Sequence, residues 1–522
     1  MYKRGFFFFF LFISVCVKAQ QTSDLASPHI NDFEGLMQQL ASDKMEGRET
    51  ATKGGYLAGD FIAEYMLHLG LSPVADLKEV TNEQPNSAYF QGFELWRNTT
   101  QYAAISFGNS KTANSAKHKL NFEVLSCPVS DQVSGELSFG GYGLINSDST
   151  YNDFSKGDFK GKIVIMFDGF PGQADTNEIV WKKFGREFRN KGANMAQKRR
   201  NALNYGAKAV LMVNPQLPGA SGEKMFRNWV SSITGTDASA YPDHDYLFPT
   251  DTVKACIPVF FPDGLLTQEL ADFTGLDMPK TERHYAINAE NRLVLLPEKT
   301  VSLSTKVLNE SIIARNIIGM IKGVDSSKSI VIGGHYDHLG RRGDSIYNGA
   351  DDNASGTSGV LALAKKWKES GLVPHQNIIF ACWDAEEKGL LGSTVFVNQL
   401  KEKTKDIRLY INMDMISRSA EEDSLHRILS VGMRSQDSSL FALVRLSNSS
   451  LKPSFELDIW DVNGHSGSDY AAFAEAGVPV MTFFSGFHKD YHSPRDRMEK
   501  VDLEKMIGVL QLVNRCVTHF SE

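Results

Sequence analysis

The chain has 522 residues, 42% of them hydrophobic and 22% charged, enough for at least two folded domains around a large core. Its net charge of −7 comes from 55 basic and 62 acidic residues, which argues against nucleic acid as a partner and for a mildly acidic, soluble surface. Four cysteines beyond Cys16 (Cys127, Cys256, Cys382 and Cys516) have no CxxC spacing, so a cysteine zinc site is unsupported; they read as small buried hydrophobes, with a Cys127–Cys256 pairing left open.

Residues 1–20 read as a signal peptide. Lys3 and Arg4 precede an apolar run from Phe6 to Val17, with Ala19 near a plausible cut. The run is short for a membrane span, and no later segment has spanning length, so a secreted or periplasmic protein without stable membrane insertion is expected. Residues 21–120 form an N-terminal helical region. Phe33, Leu36, Met37 and Leu40 keep helix spacing, a polar loop carries Glu46-Gly47-Arg48, and a second helix runs from about Gly54 to Gly70. Residues 121–297 turn to short strands and glycine-rich turns, including Ile163–Phe167, Ala209–Val213 and Cys256–Phe261. A helix carries Ala196, Ala202 and Leu203, and the polar stretch between Leu217 and Asp245 reads as a surface loop.

From residue 298 to 522 strands and helices alternate, the pattern of an α/β fold with a mainly parallel, mixed, doubly wound sheet. Strands are expected at Ser329–Gly333, Asn377–Trp383, Leu409–Met413 and Val478–Phe484, with a clear helix from Ser355 to Glu369. Nearly every unusual polar residue falls just after one of these strands, where open α/β sheets place their sites.

His335 and Asp337 alternate on an extended segment, so both can face one site; taken alone, a hydrogen-bonded histidine at a strand end is the commoner reading. Asp351-Asp352-Asn353 opens a helix and could simply cap it, although a carboxylate there can also bridge two cations. Glu386-Glu387 directly follows an apolar strand, where one glutamate can bind metal while its neighbour takes a proton from water. Asp414 ends another apolar strand, and a carboxylate so placed needs a partner. His492 lies in the loop after the last strand. Two histidines and three carboxylates without cysteine suit catalytic zinc.

The ordered set Gly-Gly-His-Tyr-Asp-His, Gly-Ala-Asp-Asp-Asn-Ala-Ser-Gly, Ala-Glu-Glu, Met-Asp-Met and Tyr-His-Ser-Pro closely resembles the family-28 zinc metallopeptidases, over about Ile312 to Glu522. The resemblance implies a zinc exopeptidase fold holding two zinc ions per chain. Asp352 would bridge them, His335 and Asp414 would complete one site, and Glu387 and His492 the other. Glu386 would be the general base and Asp337 would orient His335. The Asp352-Asn353 peptide bond would be cis. The middle region is similar to a β-rich protease-associated domain inserted before the catalytic half, on the marks Gly141-Tyr142-Gly143, Gly161-Lys162-Ile163-Val164, Gly206-Ala207-Lys208-Ala209 and Ile257-Pro258-Val259. Tyr470 stands where the family often has histidine. The activity implied is an aminopeptidase acting on peptides with free N-termini. A glutaminyl cyclase, a glutamate-type carboxypeptidase and a non-catalytic receptor-like protein are the alternatives.

Overall fold

The computed structural model describes residues 28–74, 85–125, 130–173, 179–191, 195–217, 223–234, 244–249, 256–287, 298–465 and 467–521, with single positions 127, 177, 294 and 296. The expected signal segment lies outside these residues. The chain divides into two compact units, one built from Met1–Glu94 with Ile313–Glu522 and the other from Leu95–Ile312. The sequence reading put these divisions at 120 and 297. No change of composition marks the observed ones, because they fall inside two long strands, Phe90–Phe107 and Thr300–Ile321.

The first unit is organised by one mixed sheet. Its strands are β1 (the Thr300–Ile321 strand, through its Ile317–Ile321 end), β2 (Asp325–His335), β3 (Gln376–Trp383), β4 (Ile407–Met413), β5 (Ile428–Met433), β6 (Glu456–Asp461) and β7 (Val480–Phe484). The spatial order is β6-β5-β7-β4-β2-β3-β1. The central pairs β2–β3, β2–β4 and β4–β7 are parallel, while β1–β3 and β5–β7 are antiparallel. β3 is buried at every position, as expected for a strand covered on both faces. One covering layer holds the helices α1 (Glu34–Leu40), α2 (Lys53–His68), α3 (Gly356–Ser370) and α4 (Leu503–Ser521), whose Met37, Ile62, Leu361 and Val513 share a core with Ile330, Phe380 and Ile411. Phe396 and Phe473 pack on the opposite face with Val331, Trp383 and Tyr410.

The second unit has parallel pairing through Asp131–Phe139, Ile163–Phe167, Ala209–Val213 and Val259–Pro262. It also contains the helices Ile179–Lys191, Met195–Asn204, Glu223–Thr234, Gly264–Thr274 and Met278–Ile287, so it is a mixed α/β unit rather than simply β-rich. The helix Glu223–Thr234 corrects the expected loop between Leu217 and Asp245. It buries Phe226, Trp229 and Val230, an apolar stripe that the polar residues on either side obscured. The second correction is covalent. Cys127 and Cys256 form a disulfide with Cα atoms 5.8 Å apart, whereas Cys382 and Cys516 are free and buried. Among the described residues no helix is long and apolar enough to cross a membrane.

Candidate active site

The parallel strands β2, β3 and β4 run side by side, with His335 in register with Trp383 and Gly333 with Asn412. Their carboxyl ends therefore deliver His335, Glu386-Glu387 and Asp414 to one place, as the topology of an open α/β sheet requires. Asp352 arrives from the irregular turn Ala350–Ser355 that opens α3, and its bond to Asn353 is cis. Asn353 takes the capping task in that turn: its Oδ1 accepts from the Gly356 N–H at 2.8 Å. The Asp352 carboxylate is left to face the site.

Two groups of donor atoms meet there. His335 Nε2 lies 3.4 Å from Asp352 Oδ1 and 3.4 Å from Asp414 Oδ1. His492 Nε2 lies 3.1 Å from Asp352 Oδ2 and 3.2 Å from Glu387 Oε2. The two oxygens of one carboxylate thus belong to different groups. Glu386 Oε2 is further out, 3.8 Å from His335 Nε2. Two ligand atoms about 2.1 Å from one tetrahedral zinc ion sit about 3.4 Å apart, so both groups have zinc spacing. Asp414 Oδ1 is also buried without a hydrogen-bond partner, as a ligand oxygen held ready for a cation would be.

Charge is concentrated here. Burial pushes the Glu386 carboxyl up; His335 opposes this, but Glu387, Asp414 and Asp469 add to it, leaving Glu386 well above the usual range. Burial also acts to raise Glu387, yet His492 and His338 hold it well below. His492 is drawn down by burial and lifted to about 11 by Glu387 and Asp352. A divalent cation competes with these histidine protons, so metal binding at such a site releases protons.

Asp337 does more than the resemblance implied. His335 Nδ1 is 3.1 Å from the Asp337 backbone carbonyl and 3.7 Å from its carboxylate. That carboxylate accepts from the backbone N–H groups of Glu386 (3.0 Å) and Glu387 (3.3 Å) and from the Thr50 hydroxyl (3.1 Å). Two further residues escaped the sequence reading, although one sits inside a motif it used and the other lies two residues beyond one. His338 is fully buried with Nδ1 2.7 Å from Glu387 Oε1, a hydrogen-bond length rather than a ligand spacing, so it steadies one oxygen while the other faces His492. Asp496 accepts from the N–H groups of Asp351 (3.0 Å) and Asp352 (3.1 Å), fixing the backbone that carries Asp352.

A cavity of about 220 Å³ opens beside the two groups. His335, Asp352, Glu386, Asp414 and His492 form its polar side. Met415, Trp460, Tyr470, Phe484, Phe487 and Tyr491 form its largely apolar side, and Gly467, Ser468 and Thr482 complete the lining. Tyr491 stacks on His492 at 3.8 Å between ring centroids.

Residues 316–517 match the family model for Peptidase family M28. Aminopeptidase YwaD of Bacillus subtilis (strain 168) is 29% identical over 241 residues, which cover 44% of this chain and 50% of that protein. A probable glutamate carboxypeptidase, LAMP1, of Arabidopsis thaliana is 32% identical over 211 residues, 37% of this chain and 29% of that one. The chain therefore spans half or less of the length of these relatives. The structure of an aminopeptidase from Aneurinibacillus sp. strain AM-1 superposes with a TM-score of 0.59 at 18% identity, covering 95% of this chain and 94% of the other. BSAP, a zinc aminopeptidase from Bacillus subtilis, gives 0.54 at 21% identity, covering 95% and 96%. These two likenesses are of fold. The segment that builds the site, residues 316–517, is thus the part of the chain that matches peptidase family M28.

Proposed function

We propose that this protein is an exported zinc aminopeptidase that holds two zinc ions through the shared carboxylate of Asp352. The observation that carries this reading is the division of Asp352, with Oδ1 at ligand spacing from His335 and Oδ2 at ligand spacing from His492. Asp414 completes the first donor set and Glu387 the second. Bound zinc supplies Lewis acidity, which polarises the scissile carbonyl and acidifies water. Glu386 remains outside both sets, and its raised pKa suits a group that accepts a proton from attacking water and returns it to the leaving amine. Asp337 holds the backbone of Glu386, and the apolar wall of the cavity excludes bulk water.

The same wall supports a preference for peptides with a large apolar N-terminal residue. No arginine or lysine lines the cavity among the described residues. Arg418 is engaged by Asp490 and Asp496, and Arg342 by Glu49, so neither offers itself to an acidic C-terminal residue. This weighs against the glutamate-type carboxypeptidase. Two complete donor sets weigh against the single-metal cyclase and against a receptor with a lapsed site. Export is supported by the Cys127–Cys256 disulfide, which suits an oxidising compartment. The middle unit is proposed to be a protease-associated domain.

The test is hydrolysis of aminoacyl-anilides and N-blocked peptides, with and without chelator. Activity confined to free N-termini, lost on chelation and restored by zinc, is expected. Cleavage of blocked peptides, cyclisation of N-terminal glutamine, or indifference to chelation would reject the reading.

A further inference from the structure

The loop Glu46-Gly47-Arg48, far from the metal motifs in sequence, is built into the centre of the catalytic unit. Arg48 is 0% exposed. Its Nε donates to the Tyr336 carbonyl at 2.7 Å, and Nη1 donates to the carbonyls of Leu40 (2.7 Å) and Asn348 (2.6 Å). Nη2 donates to the Gly349 carbonyl at 2.9 Å. Tyr336 lies between His335 and Asp337, while Asn348 and Gly349 lead directly into the turn that carries Asp352. The Arg48 carbonyl in turn accepts from the His338 N–H at 3.3 Å.

A buried cation whose donors all go to carbonyls needs compensating negative charge nearby. Here burial pulls the guanidinium down to about 10, opposed by the fields of Asp352, Asp496, Asp337 and Glu387. The loop is also held in an unfavourable backbone shape. Glu46, Gly47, Arg48 and Ala51 all have positive φ, between 48° and 71°. Non-glycine residues persist there only where their surroundings determine the conformation, and such strain clusters at functional sites.

We propose that Arg48 is a positioning residue for the metal centre. Its planar fork ties the end of β2, which carries His335, to the loop that carries Asp352, and so sets the separation of the donor atoms. A lysine keeps the charge but cannot reach four carbonyls with one ammonium group.

The inference rests on the zinc reading above, and its test separates the two. Arg48→Lys and Arg48→Met are compared with the full-length wild-type chain by zinc titration, by the visible spectrum of the cobalt-substituted protein, and by kcat and KM. Both variants are expected to bind zinc about 10- to 100-fold more weakly, to show an altered cobalt spectrum, and to lose kcat with little change in KM. If either fails to fold, Gly47→Ala replaces it. A Cβ there would lie 2.4 Å from the Gly340 carbonyl oxygen and 2.5 Å from that of Tyr347, displacing the loop while the guanidinium remains. The same changes, in the same direction, are expected. Folded variants that melt at lower temperature but keep wild-type zinc affinity and cobalt spectrum would make Arg48 a structural tie only and overturn the proposal. A wild-type chain that binds no zinc would overturn the zinc reading and this inference together.

Discussion

Replacing Glu386 by glutamine removes a proton acceptor while keeping shape and volume. Glu386 Oε2 stands 3.8 Å from His335 Nε2, outside the 3.1–3.4 Å spacing that relates the donor atoms. Neither donor set loses a member, so zinc affinity should stay within about threefold, or less than 1 kcal/mol. The chemical step has no substitute for the lost base. A positioned acid–base group typically contributes about 10²- to 10⁴-fold, so kcat should fall by that factor, equivalent to about 3–5 kcal/mol of activation free energy. The metal-free protein should meanwhile be no less stable, because Glu386 is buried among Glu387, Asp414 and Asp469 and its ionised form is disfavoured there. The assay is kcat on a leucyl-anilide beside zinc content by mass spectrometry and melting in chelator. A variant with activity within tenfold of wild type would refute the base assignment. One that lost zinc with its activity would make Glu386 a ligand instead.

Other outcomes follow from the same geometry. Trp460→Ala, which opens the apolar wall, should raise KM for leucyl and phenylalanyl substrates roughly 10-fold or more while alanyl substrates change little; a uniform effect would dissociate the cavity from side-chain recognition. Separating Cys127 from Cys256, 129 residues apart, should cost about 2–5 kcal/mol and lower the melting temperature. Among Cys127, Cys256, Cys382 and Cys516, alkylation of the denatured, unreduced protein should label only Cys382 and Cys516. Burial pushes the Asp423 carboxyl up, but Lys505, the Arg427 N–H and Ser419 pull it down to about 2. Its folded pKa lies below the unfolded one, so its contribution is full above about pH 4 and is lost as pH falls towards 2; it should be about 2 kcal/mol, absent in Asp423→Asn. Urea midpoints of both proteins between pH 2 and 6 would check this, and parallel curves would contradict it.

His335, Glu387 and Asp414 were legible because each lies in a short motif at or just after the end of a buried strand, where an apolar run gives way to polar residues. Asp352, in the turn that opens α3, and His492, in the loop after the last strand, were named instead by the resemblance of their motifs. β2, β3, β4 and β7 announced themselves by apolar runs. β6 did not, because Glu456–Asp461 lies at the sheet edge, half exposed, and alternates acidic with apolar residues. The helix Glu223–Thr234 was missed for a similar reason, its apolar stripe being narrow and flanked by polar chain. What supports the ligands was harder to read. Arg48 meets Tyr336 across 288 residues of sequence, and nothing local to Glu46-Gly47-Arg48 names carbonyls as its partners. Asp496 follows the Tyr-His-Ser-Pro motif by two residues, but its role is to receive backbone N–H groups more than 140 residues away. Tertiary proximity decides such roles, and local pattern carries little of it.

The central claim is that one carboxylate, Asp352, is shared between two zinc ions. Anomalous diffraction at the zinc edge on crystals of the zinc-loaded protein, with metal content measured on the same sample, tests it most directly. The account predicts two zinc ions per chain on either side of Asp352, one with His335 and Asp414 and the other with Glu387 and His492. A single ion per chain, or an Asp352 carboxylate bound to one ion only, would contradict it.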